Sequence, residues 1–158
     1  VNAPADPADR VRRAFVEACG LDVAVRKPGN VSLASPGHGM QAQQFVDSAE
    51  AAAVPLARRG ERVGHRIEAA VAATWSVAGC NTNLGIVLLC APLAAAAERP
   101  GALDGEAALR GALAAVLAAL DEADAAAAYR AIVQANPGGL GRADEGDVRD
   151  APRHTLLQ

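Results

Sequence analysis

Apolar residues recur every three to four positions through most of the chain, and glycine- and proline-rich intervals interrupt that rhythm. Asp6 followed by Pro7 reads as an N-cap with proline in the first turn. Val11, Phe15, Ala18 and Asp22 then share one register, which predicts a helix to about residue 22 or 23. The interval KPGNVSLASPGHGM stops it: Pro28 biases Lys27 away from helix, and Gly29, Pro36, Gly37 and Gly39 mark turns.

The rhythm resumes over 41–59, where Phe45, Ala49, Ala52 and Leu56 share a face and Pro55 should bend or restart the helix. After Gly60, Val63, Ile67, Val71, Thr74 and Ala78 keep one register up to a break at 79–83. The stretch LGIVLLCAPLAAAA follows without a polar face, which predicts a helix over about 84–98, buried on most sides and central to the fold. Two further helices are expected over 106–120 and 121–135, the second presenting Tyr129, Ile132 and Val133, and 136–141 ends it with proline and glycine. Ala151-Pro152 has the chemistry of another helix start. No segment shows the two-residue alternation of a sheet, so the expected fold is all-α: one domain over 1–158, a helical bundle around the 84–98 helix.

Composition narrows what fills that bundle. Apolar residues make up 51% of the chain but aromatics only 3%, so the core must be built from Ala, Leu and Val, which favour close helix packing. A net charge of -3 provides no basic face for nucleic acid. Cys19, Cys80 and Cys90 are odd in number and lack CxxC spacing, which argues against a disulfide framework or a zinc site and for buried free thiols. The longest apolar run is shorter than the ~20 residues that cross a bilayer, and the first residues show no basic start or apolar signal region. A soluble, cytoplasmic protein without membrane or nucleic-acid partners is expected.

Three intervals could carry chemistry. In the first, Lys27 is the only lysine among 15 lysine and arginine residues, beside a Pro-Gly turn whose amides can approach phosphate oxygens. Gly29, Asn30 and Ser32 belong to the same turn, and His38, between two glycines, could act as general acid or donor. In the second, Asn81, Thr82 and Asn83 precede the central helix, where they could cap it or hold an anion at its first free amides. In the third, Gly138, Gly139 and Gly141 exceed what helix termination needs and leave room for a ligand-facing loop. Of the carboxylates near these loops (Asp22, Asp47, Glu50, Glu61, Glu68), Asp22 and Glu68 lie next to apolar stripes and could hold a divalent metal and, through it, a triphosphate.

In order along the chain, an acidic residue with KPGNVS (Asp22 to Ser32), GHGM, Ser48-Ala49, VGHRIEAAV to GCNTNLG, AYRAIVQANPGGLG and DVRDAP resemble the triphosphoribosyl-dephospho-CoA synthase family. The resemblance implies an all-α transferase that joins ATP to 3′-dephospho-CoA with release of adenine, in prosthetic-group biosynthesis. It also implies that the chain is the N-terminal part of a longer protein. Such glycosyl transfer passes through an oxocarbenium-like transition state and needs anion anchors, a carboxylate for the attacking hydroxyl and help for the departing base. On that reading Lys27, Gly29 and Asn30, with Ser32, anchor phosphates. Asn81, Thr82 and Asn83 contact ribose or phosphate, with Gly138 and Gly139 as further nucleotide contacts. Asp22 or Glu68 holds Mg²⁺ or serves as base, and His38 assists adenine departure. Gly39 and the Asn83-Leu84 pair depart from the family's usual HTDM and NTHKG, which sets a related acceptor beside dephospho-CoA. Two alternatives remain at this level: a non-catalytic nucleotide-binding helical module, and, ranked below it, a metal-dependent nucleotide hydrolase. A homodimer is a further expectation, from apolar surface left uncovered.

Overall fold

The computed structural model describes residues 6–37 and 39–157. They form α1 (Pro7–Ala24), α2 (Ala42–Leu56), α3 (Val63–Ala78), α4 (Leu84–Ala97), a 3₁₀ turn at Ala102–Asp104, α5 (Glu106–Ala118) and α6 (Glu122–Ala135). Among the described residues there is no strand, only the isolated bridges Ser32–Ser35 and Gly37–Met40 within the first interval, so the expected all-α bundle is what forms.

Local sequence accounts for the helix ends. Asp6 Oδ1 accepts from the Ala8 amide at 3.0 Å, capping α1 with Pro7 in its first turn. Gln41 and Gln44 close a reciprocal capping box at the start of α2. Asp121 and Asp124 do the same for α6, which ends on Asn136 in the left-handed region at φ +44. Pro55 does not restart a helix. It lies in the last turn of α2, which ends at Leu56 instead of running to residue 59. The Ala151-Pro152 segment is irregular, not helical.

The pairing of helix ends gives the directions. Arg59 after α2 pairs with Asp6 before α1, so these helices run antiparallel. The Gly60 amide donates to Glu98 Oε2 at 3.0 Å, placing the end of α4 beside the α2–α3 turn. Arg62 bonds Asp121 and Asp124, and the Glu68–Arg130 contact two turns on shows that α6 runs parallel to α3. Consequently the end of α1, the start of α2, the end of α3, the start of α4 and the end of α6 all lie at one end of the bundle. Every interval that sequence singled out for chemistry opens there.

α4 touches all the other helices, as expected of a central element, although one edge stays open, with Leu89 72% exposed. The fully buried face of α6 is made of Ala125, Ala128, Ala131 and Ala135; of the larger residues Ile132 is half-buried against the core and Val133 is exposed. The reason is the closeness of α3. A Cβ on Gly64 would lie 2.6 Å from the Asp124 Cα and carbonyl oxygen, and the Gly64 amide donates to Asp124 Oδ1 at 2.9 Å. Gly64→Ala must therefore push backbone against backbone. We expect it to cost about 1–3 kcal/mol, read as a lower denaturation midpoint at unchanged m-value. A midpoint equal to that of the parent protein would mean that the two helices can part without loss.

The far end is held by Arg66, which is completely buried. Its guanidinium donates to the Leu56 carbonyl at 2.6 Å, to the Glu61 carbonyl at 2.9 Å and to the Glu98 carboxylate. Within the VGHRIEAAV segment, Gly64 admits α6 and Arg66 ties together the end of α2, the start of α3 and the end of α4.

Candidate functional site

At the open end, the first interval folds into a compact loop. The Asn30 amide donates to the Lys27 carbonyl at 3.1 Å across Pro28-Gly29, and Gly29 takes φ +77, the pattern of a type II turn that a side chain would strain. The Leu33 amide donates to the Val23 carbonyl at 3.1 Å, fastening the loop to the end of α1. Arg26, Lys27, Gly29, Asn30, Ser32 and Ser35 line a cleft of about 630 Å³. Lys27 Nζ pairs with Asp22 Oδ1, so the single lysine and the carboxylate singled out with it are held against each other, both partly exposed. Ser32 is 3% exposed and its hydroxyl has no hydrogen-bond partner.

The second interval packs against the start of α2. Gln44 Nε2 donates to the Ala78 carbonyl at 3.2 Å, and the Ser48 hydroxyl lies 2.6 Å from that of Thr82. Ser48 also donates to the Phe45 carbonyl at 3.1 Å; while that bond is made, the proton between Ser48 and Thr82 comes from Thr82. Asn81 Oδ1 accepts from the Leu84 amide at 3.3 Å and caps α4. Asn83 does not cap. Its Oδ1 accepts from the Thr74 hydroxyl at 2.9 Å, leaving Nδ2 buried and without a partner.

Ser32 Oγ and Asn83 Nδ2 are the two buried side-chain polar atoms without a partner among the described residues. Each such atom costs about 1–3 kcal/mol while unpaired. Both lie in the two loops at this end, and polar groups left unpaired in a folded protein are what a ligand can satisfy.

The remaining candidates fall differently. Both oxygens of Glu68 are taken by Arg130, at 2.6 and 2.8 Å, and Glu68 sits ten residues before Ala78, ~15 Å along α3 at 1.5 Å per residue. The Arg130 guanidinium holds the Glu68 carboxyl below the usual carboxylate range. A depressed carboxylate adds stability above its unfolded-state pKa and loses it as pH falls through the folded value. Glu68→Gln should therefore flatten the acid limb of the stability profile below about pH 4.5. Identical acid limbs in the two proteins would mean that the pair contributes nothing.

Gly138 and Gly139 lie exposed just beyond α6 at the same end, Gly139 at φ +79. His38 lies outside the described residues. Among the described residues no three His, Cys, Asp or Glu side chains converge as a metal site. All three cysteines are free; burial, then neighbouring Cys90 and Asp22, push the Cys19 thiol up to about 12, so it stays protonated. No helix of the described residues is long and apolar enough to cross a membrane.

One polar group of this end, Thr74, is not marked as a candidate by the sequence, because it falls on the apolar stripe of α3 and reads there as packing; Ser48 is marked only as part of the Ser48-Ala49 motif. The available signal for Thr74 was a hydroxyl at a position whose register neighbours, Val63, Ile67 and Val71, are all apolar.

Residues 8–158 match the family model CitG, described as ATP:dephospho-CoA triphosphoribosyl transferase. No curated protein and no solved structure matches the chain.

Proposed function

Because the chain belongs to the ATP:dephospho-CoA triphosphoribosyl transferase family, we propose that it joins ATP to 3′-dephospho-CoA, or a closely related acceptor, and releases adenine. Membership of a transferase family sets the reaction class. The observation that supports the location is the coincidence of the two unpartnered buried polar atoms, Ser32 Oγ and Asn83 Nδ2, with the loops at one end of the bundle.

The step is a displacement at the anomeric carbon of ATP's ribose. A ribose hydroxyl of the acceptor forms the new C–O bond as the bond from C1′ to adenine N9 breaks, and that electron pair leaves with the base. The hydroxyl proton must go to the protein, adenine must gain one, and the triphosphate stays on C5′. In this account Lys27 moves from Asp22 to the triphosphate, where its charge is complementary, with the Gly29 and Asn30 turn and the Ser32 hydroxyl supporting it. Asp22, so released, takes the hydroxyl proton. Its position beside the cleft suits this better than that of Glu68, which Arg130 clamps at both oxygens. His38 is proposed as the group that protonates the leaving base.

Among the described residues no cluster of metal-ligating side chains forms, so a dedicated metal cage is not what they suit. Mg²⁺ needs only one or two carboxylates when nucleotide phosphates and water supply the rest, and Asp22 would fit that role as the alternative to serving as base. Bound there, Mg²⁺ would neutralise triphosphate charge. Cytoplasmic location and a homodimer belong to the same proposal. The open apolar edge at Leu89 and Leu93 is the surface a second copy would cover.

The test is to incubate the protein with ATP and Mg²⁺, with and without 3′-dephospho-CoA, and to follow free adenine by chromatography. We expect release that requires the acceptor. ATP binding without adenine release under either condition would favour the non-catalytic nucleotide-binding module instead.

A further inference from the structure

We propose that the junction of α3 and α4 is a seat for a hydroxyl of ATP's ribose, separate from the charged cleft that takes the triphosphate. In this seat Asn83 and Thr82 make the contacts and Thr74 is a positioning residue. The proposal rests on the transfer from ATP set out above, and deepens it by dividing the nucleotide between two chemically different places.

The division follows from the direction of each hydrogen bond. While Ser48 gives its proton to the Phe45 carbonyl, Thr82 gives its own to Ser48, so Thr82 has only lone pairs left to offer. One residue on, Thr74 gives its proton to Asn83 Oδ1, which fixes the carboxamide so that Nδ2, a donor, is the atom left unpaired. The junction therefore presents one acceptor and one donor. A hydroxyl can answer both at once, donating to Thr82 and accepting from Asn83, whereas a phosphate oxygen only accepts and would face the Thr82 lone pairs unfavourably. No charged side chain takes part in these bonds. Asn83 is 4% exposed, so the unpaired donor needs a single oxygen atom, not a solvated anion.

The cleft has the opposite character. Arg26 and Lys27 are donors only and carry full charge, which suits a polyanion. The two places are adjacent because α2 begins two residues after Met40, where the loop closes, and its Gln44 and Ser48 reach Ala78 and Thr82 directly. That is the relation required when sugar and triphosphate are joined through one C5′.

Equilibrium binding of ATP and of 2′,3′-dideoxy-ATP to the whole protein tests the assignment. We expect the parent protein to prefer ATP by at least about 10-fold, since a site built to bond a hydroxyl discriminates against its absence. Thr82→Val and Asn83→Leu should bring that ratio close to 1. Thr74→Val should reduce it and Thr74→Ser, which keeps the hydroxyl, should restore it, while Lys27→Ala weakens both nucleotides alike and leaves it intact. A ratio near 1 in the parent protein, or one unchanged by Thr82→Val and Asn83→Leu, would overturn the proposal. If ATP binds with the expected preference and no adenine is released, the transfer reaction fails and the hydroxyl seat stands.

Discussion

Lys27→Ala should lower kcat/KM for adenine release by about 100-fold while leaving the fold in place. The first half follows from the role proposed for the ammonium: with Arg26 it is the charge that the triphosphate meets in the cleft, and one guanidinium with neighbouring amides does not replace both anchors of a polyanion. The second half follows from where Lys27 sits. Its side chain is 34% exposed and its partner Asp22 40% exposed, and an ion pair of that kind contributes about 0–1 kcal/mol. Activity and stability should therefore separate in this variant. Lys27→Arg should recover only part of the loss, because a planar guanidinium does not reproduce the compact point charge of an ammonium. A Lys27→Ala protein with parental kcat/KM and unaltered ATP affinity would remove the cleft from the mechanism.

Arg66→Met should have the largest effect on stability, a loss of about 3–5 kcal/mol. Three partners depend on this one side chain: the carbonyls of Leu56 and Glu61 and the carboxylate of Glu98. Without the guanidinium the first is left buried and the last loses its counter-charge beside the α2–α3 turn. Domains of this size are stable by about 5–15 kcal/mol, so the variant would lose a large share of the whole. Denaturant titration of the parent, Arg66→Met and Arg66→Met with Glu98→Gln measures it. If the carboxylate left behind is the main penalty, the double variant regains part of the loss. An Arg66→Met protein within about 0.5 kcal/mol of the parent would contradict the anchoring role.

Periodicity was a good guide to the helices because the core stripe of each one is continuous in sequence. The register of Val63, Ile67, Val71 and Thr74 is the buried face of α3, whereas in α1 the buried face runs through Phe15, Cys19 and Val23, one position on from the expected Ala18 and Asp22. α6 was less legible. Alanines form its fully buried face, since Gly64 brings the α6 backbone close to α3 at Asp124 and Ala127, and of its larger apolar residues Ile132 packs against the core. No local pattern in α6 reveals this, because the cause lies about 60 residues earlier in the chain. Pro55 illustrates a similar limit: its helix-breaking chemistry was plain, but whether the chain restarts or turns depends on Arg66 and Glu98 waiting beside the turn.

The candidate site was legible as a set of intervals and not as a set of partners. Glycine, proline and asparagine mark where the helices open, and the alternating directions of α1 to α4, with α6 parallel to α3, gather those openings at one end. What sequence could not provide was the pairing: Lys27 with Asp22, Glu68 with Arg130 ~15 Å away along α3, and Thr74 with Asn83. These contacts cross between elements, and they distinguish a carboxylate near the cleft from one clamped on the helix flank.

The most direct measurement is the mass of the acceptor after reaction with ATP. The account predicts that 3′-dephospho-CoA gains a ribose carrying an intact triphosphate, with one adenine released for each acceptor converted. An unmodified acceptor accompanied by ADP, AMP or inorganic phosphate would contradict it, because the bond broken would then be a phosphoanhydride and not the one between ribose and adenine.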